Sequence, residues 1–372
     1  MSHIVSEVPL KSPSPGVHRL LKVHRFGEPG SGPKVYMQAA LHADEWPGLL
    51  ALQHLIAELM EVDRRGDITG EIVIVPFANP IGMDQKLNGV VLGRHSFSAE
   101  GNYNRNWPDL SQVALDAFSG ATTDPISDVR KALKAAAADL PTATPLDELK
   151  AVLLRESIDA DVVLDIHCDS DALMHIYCNH RHHEESYQLA EDMGCPVLLL
   201  EDEPDGSPFD AAQVKPWLAL EEQGVPLACH SVTLELRGSC YVHDDYASED
   251  ARGILRFLNR RGVIRTEVAS APEVEICCAD LEALDSVRSP AAGIVAWKTE
   301  LGDQVKEGQL IAEIVDLEAD DPSIGRTPVY ARTDGLMFTK HLAALVSPGE
   351  RIAKIAGQKR LENIFGGGLL SL

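Results

Sequence analysis

The sequence predicts an α/β layered domain followed by a small all-β sandwich, and three observations lead there. Five β-type apolar runs alternate with helical patterns through the first 270 residues. Near residue 270 the texture changes, and from Val287 helix patterns give way to short strands with glycine turns. That last segment also repeats itself at an offset of 41 residues.

The strand candidates are "KVYMQAAL" (34–41), "GEIVIVPFA" (70–78), "ADVVLDIH" (160–167), "PVLLL" (196–200) and "SVTLEL" (231–236). They are nearly continuous in apolar residues, as in a sheet covered on both faces. Helices are expected over 48–62, 126–139 and 248–261. "TPLDELKAVLLRES" starts another, with Thr144 as N-cap and Pro145 at the first helical position. In the last segment "VKEGQLIAEI" (305–314) aligns with "VSPGERIAKI" (346–355), matching Gly308 to Gly349, Ile311 to Ile352 and Ile314 to Ile355. "SPAAGIVAWKT" pairs loosely with "ARTDGLMFTKH". The expected organisation is a domain over 1–270 with its core at about 30–265, a sandwich over 285–358 and a tail over 359–372.

Composition narrows the function classes. The 372 residues are 45% hydrophobic, and the formal net charge is -24. Such a field makes nucleic acid and anionic membranes poor partners. From Asp285 onward there are 10 basic and 12 acidic side chains, so the negative charge sits almost wholly in the first domain. No apolar run is long enough to span a bilayer. The N-terminus "MSHIVSEVPLKSPSPG" lacks the basic and apolar regions of a secretory signal, which makes a cytoplasmic location the default expectation. Seven cysteines without a CxxC pair read as small buried hydrophobes rather than a disulfide or zinc framework.

"ALHADEWPG" (40–48) places His42 and Glu45 between a strand and a helix. Zinc accepts imidazole nitrogen and carboxylate oxygen, and a catalytic site keeps three protein ligands and one free position. Alone, HxxE is a weak signal, but the ends of strands in an open α/β sheet are where sites form. His167, closing "DVVLDIH", is the third ligand candidate, although a histidine there also reads as a satisfied core residue. Asp165 shares its face and can orient it, whereas Cys168 points the other way.

Metal-assisted hydrolysis also needs a general base. Glu235, inside the apolar strand "SVTLELRG", is the candidate, and a structural Glu235–Arg237 ion pair is the alternative. Asn104 and Arg105 in "GNYNRNWPD" suit a substrate carboxylate. Arg94 in "VLGRHSF" suits the oxyanion that develops on a scissile carbonyl.

Together, HxxE after a strand, "NPIG" (79–82), an arginine ten residues before "NR", a strand ending in "DIH" and a late "TLELRG" resemble the succinylglutamate desuccinylase/aspartoacylase family of the zinc carboxypeptidase superfamily. The resemblance covers roughly 30–265. It implies a mixed central sheet flanked by helices, one zinc per chain on His42, Glu45 and His167, and Arg94 at the oxyanion. Asn104 and Arg105 would hold the amino-acid carboxylate, and Glu235 would activate the water and protonate the leaving amine. Tyr103 stands where the family more often has leucine. The last segment resembles a biotinyl/lipoyl barrel-sandwich, but "VDLEADDPSIGRTPV" (315–329) has no acceptor lysine, so a structural, oligomer-forming or site-covering role is expected.

The expected function is a zinc-dependent amidohydrolase of a small N-acyl amino acid. Arg237 is the one further cation on a site-facing strand, while Asp44, Asp169 and Asp171 add negative charge. That balance suits a cationic substrate such as N-acetyl-2,4-diaminobutyrate at least as well as N-acetylaspartate or succinylglutamate. The competing readings are a zinc carboxypeptidase on short peptides and a non-catalytic binding or assembly protein. A homo-oligomer is compatible with each.

Overall fold

The computed structural model describes residues 2–98, 101–118, 123–202 and 206–361. A large mixed sheet has the strands β1 (Ile4–Leu10), β2 (Arg19–Phe26), β3 (Lys34–Ala39), β4 (Glu71–Val75), β5 (Val162–Asp169), β6 (His175–Asn179), β7 (Val197–Glu201), β8 (His230–Gly238) and β9 (Cys277–Asp280), and the five apolar runs are β3, β4, β5, β7 and β8. Helices α1 (Pro47–Arg65), α2 (Pro125–Ala138), α3 (Pro145–Ser157), α4 (His183–Met193), α5 (Phe209–Leu218) and α6 (Asp244–Arg260) flank it.

The chain forms two compact units. The first comprises Met1–His167, Gly206–Leu234 and Val242–Ala271; the second comprises Cys168–Asp205, Glu235–Tyr241 and Pro272–Leu372. In the first, strands run in the order β1-β2-β4-β3-β5-β8. β3 pairs in parallel with both β4 and β5, and β1–β2 and β2–β4 are antiparallel. The β3–β5 register sets Gln38 opposite Asp165 and Ala39 opposite Ile166. Every residue of β3 is buried, as its apolar run requires. β1 and β2 form an antiparallel edge ribbon that the apolar runs did not announce. The residues of β1 alternate between more and less exposed, so no continuous hydrophobic stretch marks it.

The helix boundaries have local causes. Pro47 opens α1, where its missing N–H costs nothing, and Gly66 ends it in the left-handed region at φ 79°. Thr144 caps α3 through a reciprocal box. Its hydroxyl accepts from Asp147 N at 3.1 Å, and Asp147 Oδ2 accepts from Thr144 N at 2.9 Å. The core of this unit gathers Tyr36, Tyr103, Trp107, Phe209 and Trp217, with the Trp107 and Phe209 rings edge-to-face at 4.7 Å.

In the second unit β6 and β9 both pair in parallel with β7. The repeat-bearing segment forms two antiparallel sheets. One runs Leu284–Arg288, Arg351–Gly357, Gly335–Lys340, Gln304–Val305; the other runs Arg326–Tyr330, Leu310–Val315, Gly293–Trp297, Leu345–Val346. Val287, Ile352 and Ile355 from the first and Val295, Ile311 and Ile314 from the second share one apolar core, so the two sheets make a sandwich. Gly308 and Gly349, paired by the repeat, adopt matching turns at φ 78° and 82°. Asp171–Ala172 adds to the first of these sheets, with Ala172 opposite Thr339. Residues 168–205 and 235–241 thus cluster with the sandwich rather than with the rest of the α/β segment. The tail expected from 359 lies, from 362 on, outside the described residues.

All seven cysteines are free, as expected. Cys168, Cys178, Cys195 and Cys229 are buried. Cys240 and Cys278 are exposed and depart from the expectation, because each lies at a turn or edge rather than inside a covered strand. Among the described residues, no helix is long and apolar enough to cross a membrane.

Candidate active site

β3 and β5 run side by side and end together, and the chain leaves β3 through Ala40 at φ 58° into the turn that carries His42 and Glu45. Two contacts set this turn. Asn79 donates from Nδ2 to Leu41 O at 2.8 Å while its Oδ1 accepts from Gly82 N at 2.8 Å, which gives "NPIG" a physical role. Gly48, in the first turn of α1, lies so close to the sheet that a Cβ would sit 2.8 Å from Ile166 Cγ2. The helix start therefore reaches β5, and Glu45 reaches His167.

His42, Glu45 and His167 converge, all buried, with one potential ligand atom from each within 4.8 Å of the others. Glu45 lies between the rings: Oε1 is 2.9 Å from His42 Nδ1, and Oε2 is 2.8 Å from His167 Nδ1. Each outer nitrogen meets a fixed oxygen. His42 Nε2 is 2.7 Å from Asn102 Oδ1, and His167 Nε2 is 2.9 Å from Asp165 Oδ2. Asn102 Oδ1 also accepts from Asn104 N at 2.7 Å, so a backbone donor sets its orientation. Gln38 Nε2 donates to Asp165 Oδ1 at 2.9 Å, and Tyr36 donates to Gln38 Oε1 at 2.8 Å.

This arrangement fits a cation. Burial, seconded by the Arg94 charge, lowers the His42 pKa to about 4, so the ring is neutral and carries one proton. Its Nε2 faces Asn102 Oδ1, whereas its Nδ1 faces both Glu45 Oε1 and the Arg94 guanidinium. With Nε2–H given to Asn102, the neutral ring keeps one lone pair on the side of Glu45, and it would offer that pair to a cation held with Glu45 and His167. Burial opposes charge on His167, but Asp165 and Glu45 outweigh it and hold its pKa well above the usual value. Burial likewise pushes Glu45 up, and the two imidazoles outweigh it, so its pKa falls well below the carboxylate range. Two imidazoles and a carboxylate are also the donor set of catalytic zinc sites.

Arg94 joins the cluster: Nη1 donates to Glu45 Oε1 at 2.8 Å and lies 3.3 Å from His42 Nδ1. Asn104 is buried, with Nδ2 3.3 Å from His167 Nε2 and Oδ1 accepting from Phe209 N at 2.7 Å. Arg105 donates from Nη1 to Asn104 O at 2.7 Å. A Cβ on Gly206 would fall 2.5 Å from Arg105 Cδ, so the segment entering α5 lies directly on this side chain.

Glu235 and Arg237 are on the last residues of β8, in the second unit. They are half-buried and alternate with buried Leu234 and Leu236. Arg237 adopts φ 58°. The Glu235 charge is felt at Tyr177, whose hydroxyl is pushed up to about 12. Burial is the main cause, Lys354 opposes it, and Glu235 and Asp169 add to it. Two of the acids expected to favour a cationic substrate have protein partners in that unit. Asp169 Oδ2 accepts from Lys354 at 2.6 Å, and Asp171 Oδ1 accepts from Tyr241 at 2.9 Å.

The profile of the succinylglutamate desuccinylase/aspartoacylase catalytic domain matches residues 31–261, more than half of the chain. The chain belongs to this family. Its members hydrolyse the amide bond of N-acyl amino acids, and the protein is a hydrolase of this class. It is 27% identical over 338 residues to the N-alpha-acetyl-L-2,4-diaminobutyric acid deacetylase of Halomonas elongata, covering 88% of this chain and 83% of that one. Among solved structures it resembles a family protein from Shewanella amazonensis, at TM-score 0.84 and 27% identity over 95% of this chain and 98% of that one. The fold is also shared with the product-bound ectoine utilization protein EutE (DoeB) of Ruegeria pomeroyi. That match has TM-score 0.67 and 20% identity, over 96% and 95% of the two chains.

Sequence reasoning missed three residues whose surroundings only the fold sets. Asn102 and Gln38 act through other side chains, and neither type nor spacing singles them out. Asp210, on α5, reads in the sequence as an ordinary acid in a helix's first turn. Only the fold places it near Asp165.

Proposed function

We propose that the protein is a zinc-dependent deacylase that cleaves an N-acyl amino acid, of the N-acetyl-2,4-diaminobutyrate kind, into a carboxylate and a free amine. The convergence of His42, Glu45 and His167 carries this reading. Bound on these three residues, zinc supplies Lewis acidity toward the acyl carbonyl and lowers the pKa of a water.

The other roles belong to the chain's own groups. Asn104 and Arg105 hold the α-carboxylate, which orients the amide and makes its attack effectively unimolecular. Arg237 is a further substrate-binding cation. Arg94 donates to the acyl oxygen as negative charge develops there. Glu235 accepts a proton from the attacking water and returns it to the amide nitrogen, so the amine leaves neutral. Asp165 and Asn102 hold the His167 and His42 rings in the orientation the metal needs.

The Halomonas relative, an N-alpha-acetyl-L-2,4-diaminobutyric acid deacetylase, supports this choice of acyl amino acid. Metal analysis together with rates on N-acetyl-2,4-diaminobutyrate, N-acetylaspartate and succinylglutamate tests the reading. About one zinc per chain and fastest turnover of the first substrate are expected. Absence of bound metal with no hydrolysis of any of the three would overturn the zinc-dependent deacylase reading.

A further inference from the structure

A substrate with an amine on its side chain needs an acceptor for that charge, and three observations in the first unit point to one. Asp210 is the second residue of α5 and is only 6% exposed. Its neighbour Phe209 donates its backbone N–H to Asn104 Oδ1 at 2.7 Å, and Gly206, four residues earlier, lies on Arg105. The start of α5 therefore lies on the Asn104–Arg105 pair assigned above to the substrate carboxylate.

Asp210 is also electrostatically unfinished. It is held by the Thr233 hydroxyl and the Ala211 N–H, but its Oδ1 is buried with no hydrogen-bond partner among the described residues. No lysine or arginine among them pairs with it. The nearby charge it feels most is that of another fully buried carboxylate, Asp165, whose two oxygens are taken by Gln38 and His167. Burial and Asp165 together push the Asp210 pKa up to about 6. A buried acceptor beside a second acid is costly unless a cation reaches it. A primary ammonium brings one positive charge and three N–H donors in a compact group.

We propose that Asp210 is a specificity-determining residue, accepting through Oδ1 the side-chain ammonium of a substrate whose α-carboxylate lies on Asn104 and Arg105. The proposal rests on the deacylase reading above and adds to it the source of discrimination between cationic and uncharged side chains. In 2,4-diaminobutyrate the carboxylate and the ammonium stand at opposite ends of a four-carbon chain. The two ends of such a molecule then have separate anchors, Asn104–Arg105 and Asp210.

The test uses the zinc-loaded full chain, with two acetylated substrates, N-acetyl-2,4-diaminobutyrate and the uncharged N-acetyl-2-aminobutyrate, and calorimetric binding of the two free amino acids. The wild type is expected to bind 2,4-diaminobutyrate roughly 10- to 100-fold more tightly than 2-aminobutyrate, as for one charge-assisted hydrogen bond. Asp210→Asn is expected to reduce that preference to about 3-fold or less and to lower the kcat/KM ratio of the two substrates correspondingly, chiefly through KM. Asp210→Glu, which keeps the charge, should retain part of it. A wild type that hydrolyses both substrates without preference overturns the ammonium acceptor and leaves the deacylase standing. A wild type that hydrolyses neither overturns the deacylase reading itself. A preference that survives in Asp210→Asn at full metal content, including the case in which kcat/KM falls equally for both substrates, overturns the role of Asp210 alone.

Discussion

Asp165 Oδ2 lies 2.9 Å from His167 Nε2, while its Oδ1 accepts from Gln38 at 2.9 Å, so the carboxylate cannot turn without releasing one of them. The two residues are separated by one position on β5 and face the same side of the sheet. The arrangement keeps the Nε2 side of His167 occupied and its Nδ1 aimed at Glu45.

Asp165→Asn should therefore weaken metal binding without removing a ligand. A loss of about 10- to 100-fold in zinc affinity is expected. Competition with a chromophoric chelator measures it, and an unchanged affinity would show that Asp165 does not orient the ring.

Glu235→Ala should separate metal binding from turnover. The variant is expected to retain about one zinc per chain and to lose on the order of 10²- to 10⁴-fold in kcat, the usual range for a general acid–base group. Metal content by emission spectrometry and rates on N-acetyl-2,4-diaminobutyrate give both numbers. Normal turnover would remove Glu235 from the mechanism.

Lys354 and Asp169 form a largely buried pair in the second unit, with Tyr177 OH 3.2 Å from the same ammonium. Burial pushes the Asp169 pKa up, but the Lys354 charge outweighs it and holds it below the carboxylate range. A depressed folded-state pKa contributes stability that is full above the unfolded value and is lost as pH falls through the folded one. Lys354→Met is expected to cost roughly 2–4 kcal/mol near neutral pH, because the carboxylate is left without its cation. The deficit should shrink as the pH drops below about 4, where Asp169 is protonated in the unfolded chain. Denaturant unfolding of both proteins at several pH values would show it, and a constant deficit would assign the effect to packing.

Thr144→Ala removes the cap of α3 together with its reciprocal bond to Asp147. Because the site is exposed, a loss of about 0.5–2 kcal/mol is expected, with zinc content unchanged. Thermal melts check the first figure, and a change in metal content would link α3 to the site.

The periodicity of the sequence determined the α/β alternation, the sandwich with its internal repeat and the cap at Thr144. These depend on local residue order, which a one-dimensional pattern records. His42, Glu45 and His167 were also legible, because zinc chemistry restricts the ligand types and strand ends restrict their places. The edge ribbon β1–β2 was not, since its alternating exposure carries little apolar signal. Nor were Gln38, Asn102 and Asp210. Each takes its meaning from a partner distant in the chain: Asp165 across a parallel register, His42 across a loop, and Asp165 again from the start of a helix. Burial and charge at those positions arise only when strands and helices pack. Tertiary structure alone could decide that Asp210 is a carboxylate with an unfilled acceptor, while Asp169 and Asp171, more conspicuous beside His167 in the sequence, already have protein partners.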